Sequence, residues 1–185
     1  GILRTGGSLR VILHREDRAA LEGAEVSAES NEGVTGLFDG GRGFLGAQGE
    51  LGLVERNVIR HVAVAGPDRA FRLQELTSLS ARRPGVVATL EARTVHIPDR
   101  SDPAFLAEYP EVQSVSAATL HVPLIREGES IGNITVIRPE ARAYSPQEIA
   151  LLETFADQAV IAIENARLFS ELQERVAELR TLGEI

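Results

Sequence analysis

The last quarter of the chain is an uninterrupted helical pattern. Neither a glycine nor a second proline follows Pro146 until Gly183. Ser145 has the position of an N-cap, Pro146 that of the first helical residue, and Glu148 completes a capping box. A helix over residues 145–182 rises 1.5 Å per residue and is about 57 Å long. Since this exceeds the width of a small domain, we expect its far end to leave the globular part.

The chemistry of this predicted helix changes near its middle. Between residues 149 and 163 apolar residues occur at nearly every position, which predicts burial on more than one side. Beyond Glu164 they recur at alternating intervals of four and three, as along a coiled-coil seam. We therefore predict a parallel homodimer, whose interface comprises Ile161, Asn165, Leu168, Leu172, Leu179 and Leu182, with Arg175 interrupting the seam. The alternative is a single amphipathic helix that folds back onto its own domain.

The overall composition excludes several classes of function. The chain has 185 residues, of which 43% are hydrophobic and 25% charged, with a formal net charge of −8. This balance argues against a nucleic-acid-binding protein. No apolar run is long enough for a membrane span, and the N-terminus does not resemble a signal peptide. Since cysteine is absent, thiol chemistry and thiolate metal sites are excluded, and the expected location is the cytoplasm.

Two hairpins precede the long helix. Alternating patterns over residues 50–54 and 58–66, and again over 118–125 and 131–139, each indicate paired strands around a short turn. In the second strand, strict alternation would place Val58, Arg60, Val62 and Val64 on one face and Ile59, His61, Ala63 and Ala65 on the other. Between the hairpins we predict an irregular stretch at 66–83, a helix at 84–93, a strand at 94–99 and one helical turn within 100–112. Residues 15–30 and 37–48 suggest two further helices.

At this point the residues resemble a known family. The run HVPLIREGESIGNITVIRPEARAYSPQEIALLETFADQAVIAIENARLF resembles the C-terminal half of a GAF domain of bacterial signalling proteins. LGLVERNVIRHVAVAGP resembles its first hairpin, and ARTVHIPD the strand that enters the pocket region. The resemblance covers residues 37–169, which leaves 1–36 as an N-terminal linker or helical segment and 170–185 as a coiled-coil signalling helix.

The resemblance implies an α+β fold. A six-stranded antiparallel GAF/PAS-like sheet would carry helices on one face and a small-molecule pocket on the other. It also implies a sensor or dimerisation module that acts on an output domain of the same polypeptide, such as a histidine kinase, a nucleotide cyclase or a diguanylate cyclase.

The candidate ligand-binding residues are His61, Asp99, Phe105, Tyr109 and His121. The predicted strand and loop at 94–112 would face His61 or His121 across the sheet, and such mixtures of apolar and polar groups suit a pocket. The alternative is that these residues merely close the sheet. No two histidines are close enough in sequence to suggest a metal site, and a lone strand histidine is more often half-buried than a ligand. We therefore predict no metal and no cofactor.

Other GAF functions find no support in the residues. The bilin-binding branches need a thiol, and the NKFDE pattern of cyclic-nucleotide-binding GAF domains is missing around Phe105. No nucleophile elbow or carboxylate pair indicates catalysis. We expect a non-catalytic sensory and dimerisation domain upstream of a histidine kinase. The alternative is a small-molecule or haem-binding receptor domain upstream of a nucleotide or diguanylate cyclase.

Overall fold

The computed structural model describes residues 48–65 and 76–183. They form six strands and three helices. In chain order these are β1 (Gln48–Glu55), β2 (Val58–Ala65), β3 (Leu76–Ser78), α1 (Pro84–Leu90), β4 (Val95–Ile97), α2 (Pro103–Glu108), β5 (Ala118–Arg126), β6 (Glu129–Arg138) and α3 (Pro146–Gly183).

All six strands join one antiparallel sheet in the order β3-β2-β1-β6-β5-β4. The two hairpins, the helix that begins at Pro84 and the strand before Pro98 are confirmed. Strand β3 lies in the stretch that the sequence predicts as irregular. Its three residues pair with the start of β2, and a strand this short has too few residues to show a period.

The β5–β6 hairpin closes through a two-residue turn. Glu127 and Gly128 both adopt positive φ, 51° and 87°. This backbone suits the right-handed twist of paired strands, and glycine at the second position adopts it without steric cost.

A β-bulge in β2 changes which residues share a face. Leu51 pairs with Ala63 but the next residue, Gly52, pairs with His61, so Val62 is the extra residue. Because directly paired residues lie on the same side of a sheet, His61 shares its face with Val64 and the carboxylate residue Glu50. The strict alternation predicted for this strand is therefore wrong beyond the bulge, since one inserted residue reverses the alternation.

The hydrophobic core lies between one face of the sheet and the first half of α3. Leu120, Leu124 and Val136 from the central strands are fully buried there against Leu152 and Ala159 of the helix. Among the described residues, only this side of α3 is buried, and 60% of Ile161 is exposed. The prediction that the first half of α3 is buried on more than one side is therefore wrong for the part of the chain that the structure describes, because only the sheet covers it.

The start of α3 is confirmed as a capping box. The Ser145 Oγ accepts a hydrogen bond from the Glu148 backbone N–H at 3.2 Å, and the Glu148 carboxylate accepts one from the Ser145 N–H at 2.8 Å. The helix then continues without a break past Glu164 to Gly183. The helices predicted at 15–30 and 37–48, the latter apart from Gln48, and the segment 1–36 lie outside the described residues.

Candidate functional site

A cavity of about 530 Å³ lies on the face of the sheet opposite α3. Its floor consists of side chains from β1, β2, β5 and β6, and its walls come from the start of α1 and from residues 100–113. The volume falls within the range of about 300–1,000 Å³ that is usual for small-molecule sites. The fold thus separates the core from this cavity by the thickness of one sheet.

The floor is organised around His121. The ring Nδ1 lies 2.9 Å from the Thr135 Oγ1, and the ring Nε2 lies 3.2 Å from the Thr119 Oγ1. All three residues alternate with core residues along β5 and β6, so the sheet itself fixes their spacing. One ring nitrogen donates and the other accepts when the imidazole is neutral.

The electrostatics of the floor favour that neutral form. Burial and, to a smaller extent, the positive charge of the Arg100 guanidinium together lower the pKa of His121 to about 3. A metal or haem iron would have to displace one of the threonine hydroxyls from the ring. His121 is therefore built as a neutral hydrogen-bonding group of the floor.

The network continues from His121 to α1. The Thr135 hydroxyl donates to the Asn133 Oδ1 at 3.3 Å, and the Asn133 Nδ2 donates to the Gly85 carbonyl at 3.0 Å and lies 2.8 Å from the Thr89 Oγ1. A Cβ at Gly85 would lie 3.4 Å from the ring Nδ1 of His121, which is ordinary van der Waals contact and places α1 directly against the floor. This network binds the first turn of α1 to the floor of the cavity.

A buried acid and a second histidine lie at the β1–β2 side of the cavity. The Glu50 Oε2 is 3.4 Å from the His61 Nδ1, and the Glu50 Oε1 accepts a hydrogen bond from Gln48 at 2.9 Å. Glu50 and His61 are each at most 9% exposed. The bulge in β2 makes this pairing possible because it turns His61 toward the face that carries Glu50.

Charged residues of both signs line the cavity. Arg83 immediately precedes α1, and the Arg100 side chain donates to the Gln113 carbonyl at 3.3 Å. The Glu111 carboxylate accepts a hydrogen bond from the Arg82 backbone N–H at 3.4 Å. With Glu50 on the floor, the cavity presents acidic, basic and uncharged polar groups together, which suits a polar organic molecule.

The structure separates the five predicted site residues into two groups. His61 and His121 line the cavity. Asp99 instead accepts hydrogen bonds from the backbone and hydroxyl of Ser101, which lower its pKa. Phe105 and Tyr109 are buried against each other with ring centroids 5.2 Å apart. These three residues are not among the described residues that line the cavity.

Sequence reasoning missed the uncharged polar residues of the floor. Thr119, Asn133 and Thr135 alternate with apolar residues on two strands that were themselves predicted, and that alternation was a usable signal. Arg83 and Arg100 gave no signal because they lie in connecting segments whose course the pattern does not define. Within residues 48–65 and 76–183, no group of three or more potential ligands could hold a metal ion.

A second polar cluster joins the sheet to the start of α3. The Arg138 side chain is only 3% exposed, lies 4.2 Å from the ring centroid of Tyr144, and donates to the Glu148 carboxylate at 2.5 Å. It also donates to the carbonyls of residues 142 and 143. The Tyr144 backbone N–H donates to the His96 Nε2 of β4 at 3.0 Å. These contacts fix the segment 139–145 and thereby the direction in which α3 begins.

The outer half of α3 exposes large apolar side chains. Their exposed fractions lie between 46% and 69%, and the residues are Ile161, Leu168, Phe169, Leu172, Val176 and Leu179. Near the point where the helix leaves the sheet, Glu164 accepts hydrogen bonds from Arg126 of the hairpin at 2.8 Å and from Arg167 at 3.2 Å. The hydrogen bond from Arg126 lowers the pKa of Glu164. This ion-pair cluster marks the boundary between the buried and exposed halves of the helix.

Comparison with known proteins decides the family. The model of the GAF domain matches residues 10–163, which is most of the chain. This chain belongs to the GAF domain family. No curated protein matches it significantly.

Solved structures of GAF domains share the fold. A domain of a protein described as a two-component sensor histidine kinase from Sinorhizobium meliloti 1021 is 20% identical, with a TM-score of 0.53 over 77% of this chain and 90% of that one. The GAF domain/HD domain protein from Geobacter sulfurreducens is 13% identical, with a TM-score of 0.56 over 67% and 84%. Type II free methionine-R-sulfoxide reductase from Thermoplasma acidophilum is 22% identical, with a TM-score of 0.53 over 65% and 80%. At these identities the likeness concerns the fold.

The comparisons also show that the fold occurs in proteins of different kinds. GAF domains are generally regulatory and non-catalytic, although the Thermoplasma protein shows that the fold also occurs in a reductase. The Sinorhizobium protein is described as a sensor histidine kinase and the Geobacter protein as a GAF domain/HD domain protein. Within the described residues, no helix has the length and apolarity that crossing a membrane requires.

Proposed function

We propose that this GAF domain is a cytoplasmic, non-catalytic sensory and dimerisation module that passes a signal through α3 to a histidine kinase of the same polypeptide. The observation that supports this most is the division of α3. Its first half packs into the core through Leu152 and Ala159, whereas its second half exposes large apolar side chains along one side. A rigid element of this kind can transmit a change in the domain to its far end.

The exposed apolar side of α3 supports the proposed dimerisation. Burying an apolar side chain such as Leu172 or Leu179 contributes about 1.5–3 kcal/mol, and 61% and 69% of these residues are exposed. A second copy of α3 would cover them along a parallel seam. The signal would then be a shift in the population of arrangements that the two paired helices adopt.

The test is the mass in solution. The chain has a mass of 19.9 kDa, so light scattering of the unmodified protein is expected to give about twice this value. The double variant Leu172→Ala/Leu179→Ala is expected to give the monomer mass, whereas the matched control Glu174→Ala/Glu178→Ala, on the other side of the same helix, is expected to remain a dimer. A monomeric unmodified chain, or a dimer that survives the loss of both leucines, contradicts the proposal.

A second candidate function rests on the cavity. A volume of about 530 Å³ lined by charges of both signs, with a preorganised floor around His121, favours a receptor for a small polar molecule. The output would then be a nucleotide or diguanylate cyclase as readily as a kinase. Haem fits less well, since both ring nitrogens of His121 already have threonine partners.

Native mass spectrometry tests this candidate. A receptor is expected to retain an added mass, and Arg100→Ala at the cavity is expected to lose it while Arg142→Ala on the exposed segment before α3 retains it. If no mass is retained and no compound in a metabolite library raises the melting temperature, the receptor function is wrong and only the dimerisation role stands.

A further inference from the structure

The hydrogen bonds below the cavity have a fixed direction, which begins at a backbone carbonyl of α1. The Gly85 carbonyl can only accept, so the Asn133 side chain must turn its NH2 group toward it, at 3.0 Å. The Thr89 hydroxyl also donates to the Gly85 carbonyl, at 2.9 Å, and accepts from the same NH2 group at 2.8 Å. The Asn133 Oδ1 therefore faces the other way and accepts from the Thr135 hydroxyl at 3.3 Å.

This direction determines the tautomer of His121. Because the single hydroxyl hydrogen of Thr135 is directed to Asn133, the Thr135 Oγ1 can only accept from the ring Nδ1, which lies 2.9 Å away. The ring is neutral because burial lowers its pKa, so a proton on Nδ1 leaves Nε2 as an acceptor. The Thr119 hydroxyl must then donate to Nε2 across 3.2 Å.

Thr119 therefore meets the cavity as a hydrogen-bond acceptor. Its hydroxyl gives its only hydrogen to His121, so its oxygen offers lone pairs and no hydrogen to a ligand. Thr119 lines the cavity and is 3% exposed, and among the residues that the structure describes its hydroxyl bonds to His121 alone. A buried oxygen of this kind favours a ligand that directs an N–H or O–H group toward it.

The charges around Thr119 indicate what accompanies that donor. Glu50 is buried on the same face, two strands away in the order β1-β6-β5, and its negative charge favours a positively charged donor such as an ammonium group. On the other side, the Arg100 backbone N–H donates to the Ala117 carbonyl at 2.8 Å, two residues before Thr119. The Arg100 guanidinium also lies close enough to His121 to lower the pKa of its ring. A cationic donor and an anionic group on neighbouring atoms of one ligand would suit both sides.

Apolar side chains form the rest of the cavity beside these polar groups. They include Ile59, Val86, Val112 and Ile137. Ile137 pairs directly with Thr119 across β5 and β6, so the apolar surface begins next to the acceptor. The cavity volume of about 530 Å³ leaves room for an apolar group beyond a single ammonium and a single carboxylate.

We infer that the cavity takes a free α-amino acid with an apolar side chain, whose ammonium group donates to the Thr119 hydroxyl and whose carboxylate faces Arg100. This inference rests on the receptor function proposed above and names its ligand class. A ligand with only anionic groups would place an oxygen against an oxygen that has no hydrogen to donate. A wholly apolar ligand would leave the buried acceptor without a partner, which costs free energy.

The tautomer of His121 tests the direction of the network without a ligand. Long-range ¹⁵N–¹H NMR correlations distinguish a protonated ring nitrogen from an unprotonated one. At neutral pH the proton is expected on Nδ1. A proton on Nε2 would turn the Thr119 hydroxyl hydrogen toward the cavity and would overturn the inference.

Matched compounds test the ligand class. The twenty standard L-amino acids are screened against the unmodified chain, and those with apolar side chains are expected to raise its melting temperature. The affinity of the tightest one is then compared by calorimetry with the same compound lacking the amino group and the same compound lacking the carboxylate. For phenylalanine these are 3-phenylpropanoate and 2-phenylethylamine. Each loss is expected to weaken binding at least about tenfold, as for one hydrogen bond to a charged group.

Substitutions at Thr119 test its role as the acceptor. Thr119→Val keeps the shape of the side chain, and it is expected to weaken binding of the amino acid at least about tenfold while leaving binding of the compound without the amino group unchanged. Thr119→Ser is expected to retain the affinity. The matched control Thr154→Val, at an exposed position of α3, is expected to retain it as well.

The outcomes separate the ligand class from the receptor function. Amino acids that do not bind, or that bind no better than their forms without the amino group, overturn the inference. If a different compound from a metabolite library binds instead and Arg100→Ala loses it, the receptor function stands with another ligand. If no compound binds at all, both the inference and the receptor function are wrong.

Discussion

Glu148→Gln is the substitution that tests most sharply how α3 is held to the sheet. The Glu148 carboxylate accepts hydrogen bonds from the buried Arg138 guanidinium at 2.5 Å and from the Ser145 backbone N–H at 2.8 Å. The two bonds go to different oxygens of the carboxylate, and glutamine has only one acceptor oxygen, so it keeps at most one of them, carries no charge, and turns its NH2 group toward the other donor. The side chain of Arg138 is 3% exposed and that of Glu148 is 17% exposed, so solvent compensates little of the loss.

The expected cost follows from these two bonds. A hydrogen bond to a charged group contributes about 1.5–3 kcal/mol and a neutral one about 1 kcal/mol. Losing one of these bonds and the charge from the other is therefore expected to lower the free energy of unfolding by about 3 kcal/mol. Removal of one partner from a deeply buried ion pair costs about 3–5 kcal/mol, which sets the upper limit here because the Glu148 side chain is 17% exposed.

The pH dependence identifies the charge as the cause. Burial acts to raise the pKa of Glu148, but the hydrogen bonds from Ser145 and Arg138 outweigh it and lower the pKa below its usual 4.5. A carboxyl group with a lowered pKa in the folded state contributes stability that is complete above the pKa of the unfolded state and is lost as the pH falls through the folded value. The difference between the unmodified chain and Glu148→Gln is thus expected to shrink as the pH falls below the usual carboxyl value of 4.5 and through the lower value of the folded state.

Urea unfolding followed by circular dichroism at several pH values measures this difference. Ser145→Ala serves as the matched control, since it removes only the capping hydroxyl and is expected to cost about 1 kcal/mol. Because Ser145→Ala leaves the carboxylate in place, its cost should vary less with pH. A Glu148→Gln cost below about 0.5 kcal/mol, the level of an ordinary surface substitution, or one that is the same at every pH, refutes the reasoning.

Three further outcomes are expected. In an NMR titration the ring of His121 stays neutral well below its usual pKa, because burial lowers that pKa to about 3; a midpoint near 6.5 contradicts the buried network. His96→Leu removes the acceptor of the Tyr144 N–H, so hydrogen exchange of that amide should speed up by about tenfold, equivalent to about 1.4 kcal/mol; an unchanged exchange rate contradicts the contact. Because burial lowers the pKa of His96, the hydrogen bond in the unmodified chain is complete above about pH 6.5 and weakens below it. Gly132→Ala would place a Cβ 2.0 Å from the Gly52 carbonyl oxygen. The free energy of unfolding should therefore fall by about 3 kcal/mol or more, which thermal unfolding detects as a lower melting temperature; an unchanged melting temperature contradicts the strand contact.

The sequence predicted both hairpins and the long helix because each of these elements has a strong local signal. The period of two in both hairpins and the capping box at Ser145 are each defined within a few residues. The length of α3 followed from the absence of any breaker before Gly183. Such features depend little on what packs against them.

What the sequence did not reveal depends on contacts between distant segments. The bulge at Val62 decides which side His61 faces, and nothing in the alternation of β2 indicates an inserted residue. Arg138 occurs at the end of a strand as an ordinary charged residue, yet it is buried because Tyr144 and Glu148 converge on it. The composition of the loop predicts Phe105 and Tyr109 at the pocket, whereas the tertiary structure packs their rings against each other.

Val176 illustrates the same limit within one helix. Regular steps of four and three residues predict that Arg175 belongs to the seam. In the folded chain Phe169 and Val176 are large apolar side chains beside that seam, 55% and 46% exposed. Sequence spacing alone does not choose between the two sets, because residues 165, 169, 172, 176 and 179 also follow one another at alternating steps of four and three.

The central claim is that α3 is one continuous rod from the core of the domain to the far end that we propose pairs with a second copy. Pulsed electron paramagnetic resonance tests it directly with spin labels on cysteines at the exposed positions Asp157 and Arg180, in labelled chains diluted with excess unlabelled protein. An unbroken helix over these 23 steps gives a single narrow distance of about 35 Å at 1.5 Å per residue. A broad distribution, or a distance well below this value, would show that the helix bends or breaks beyond the sheet and would contradict the account.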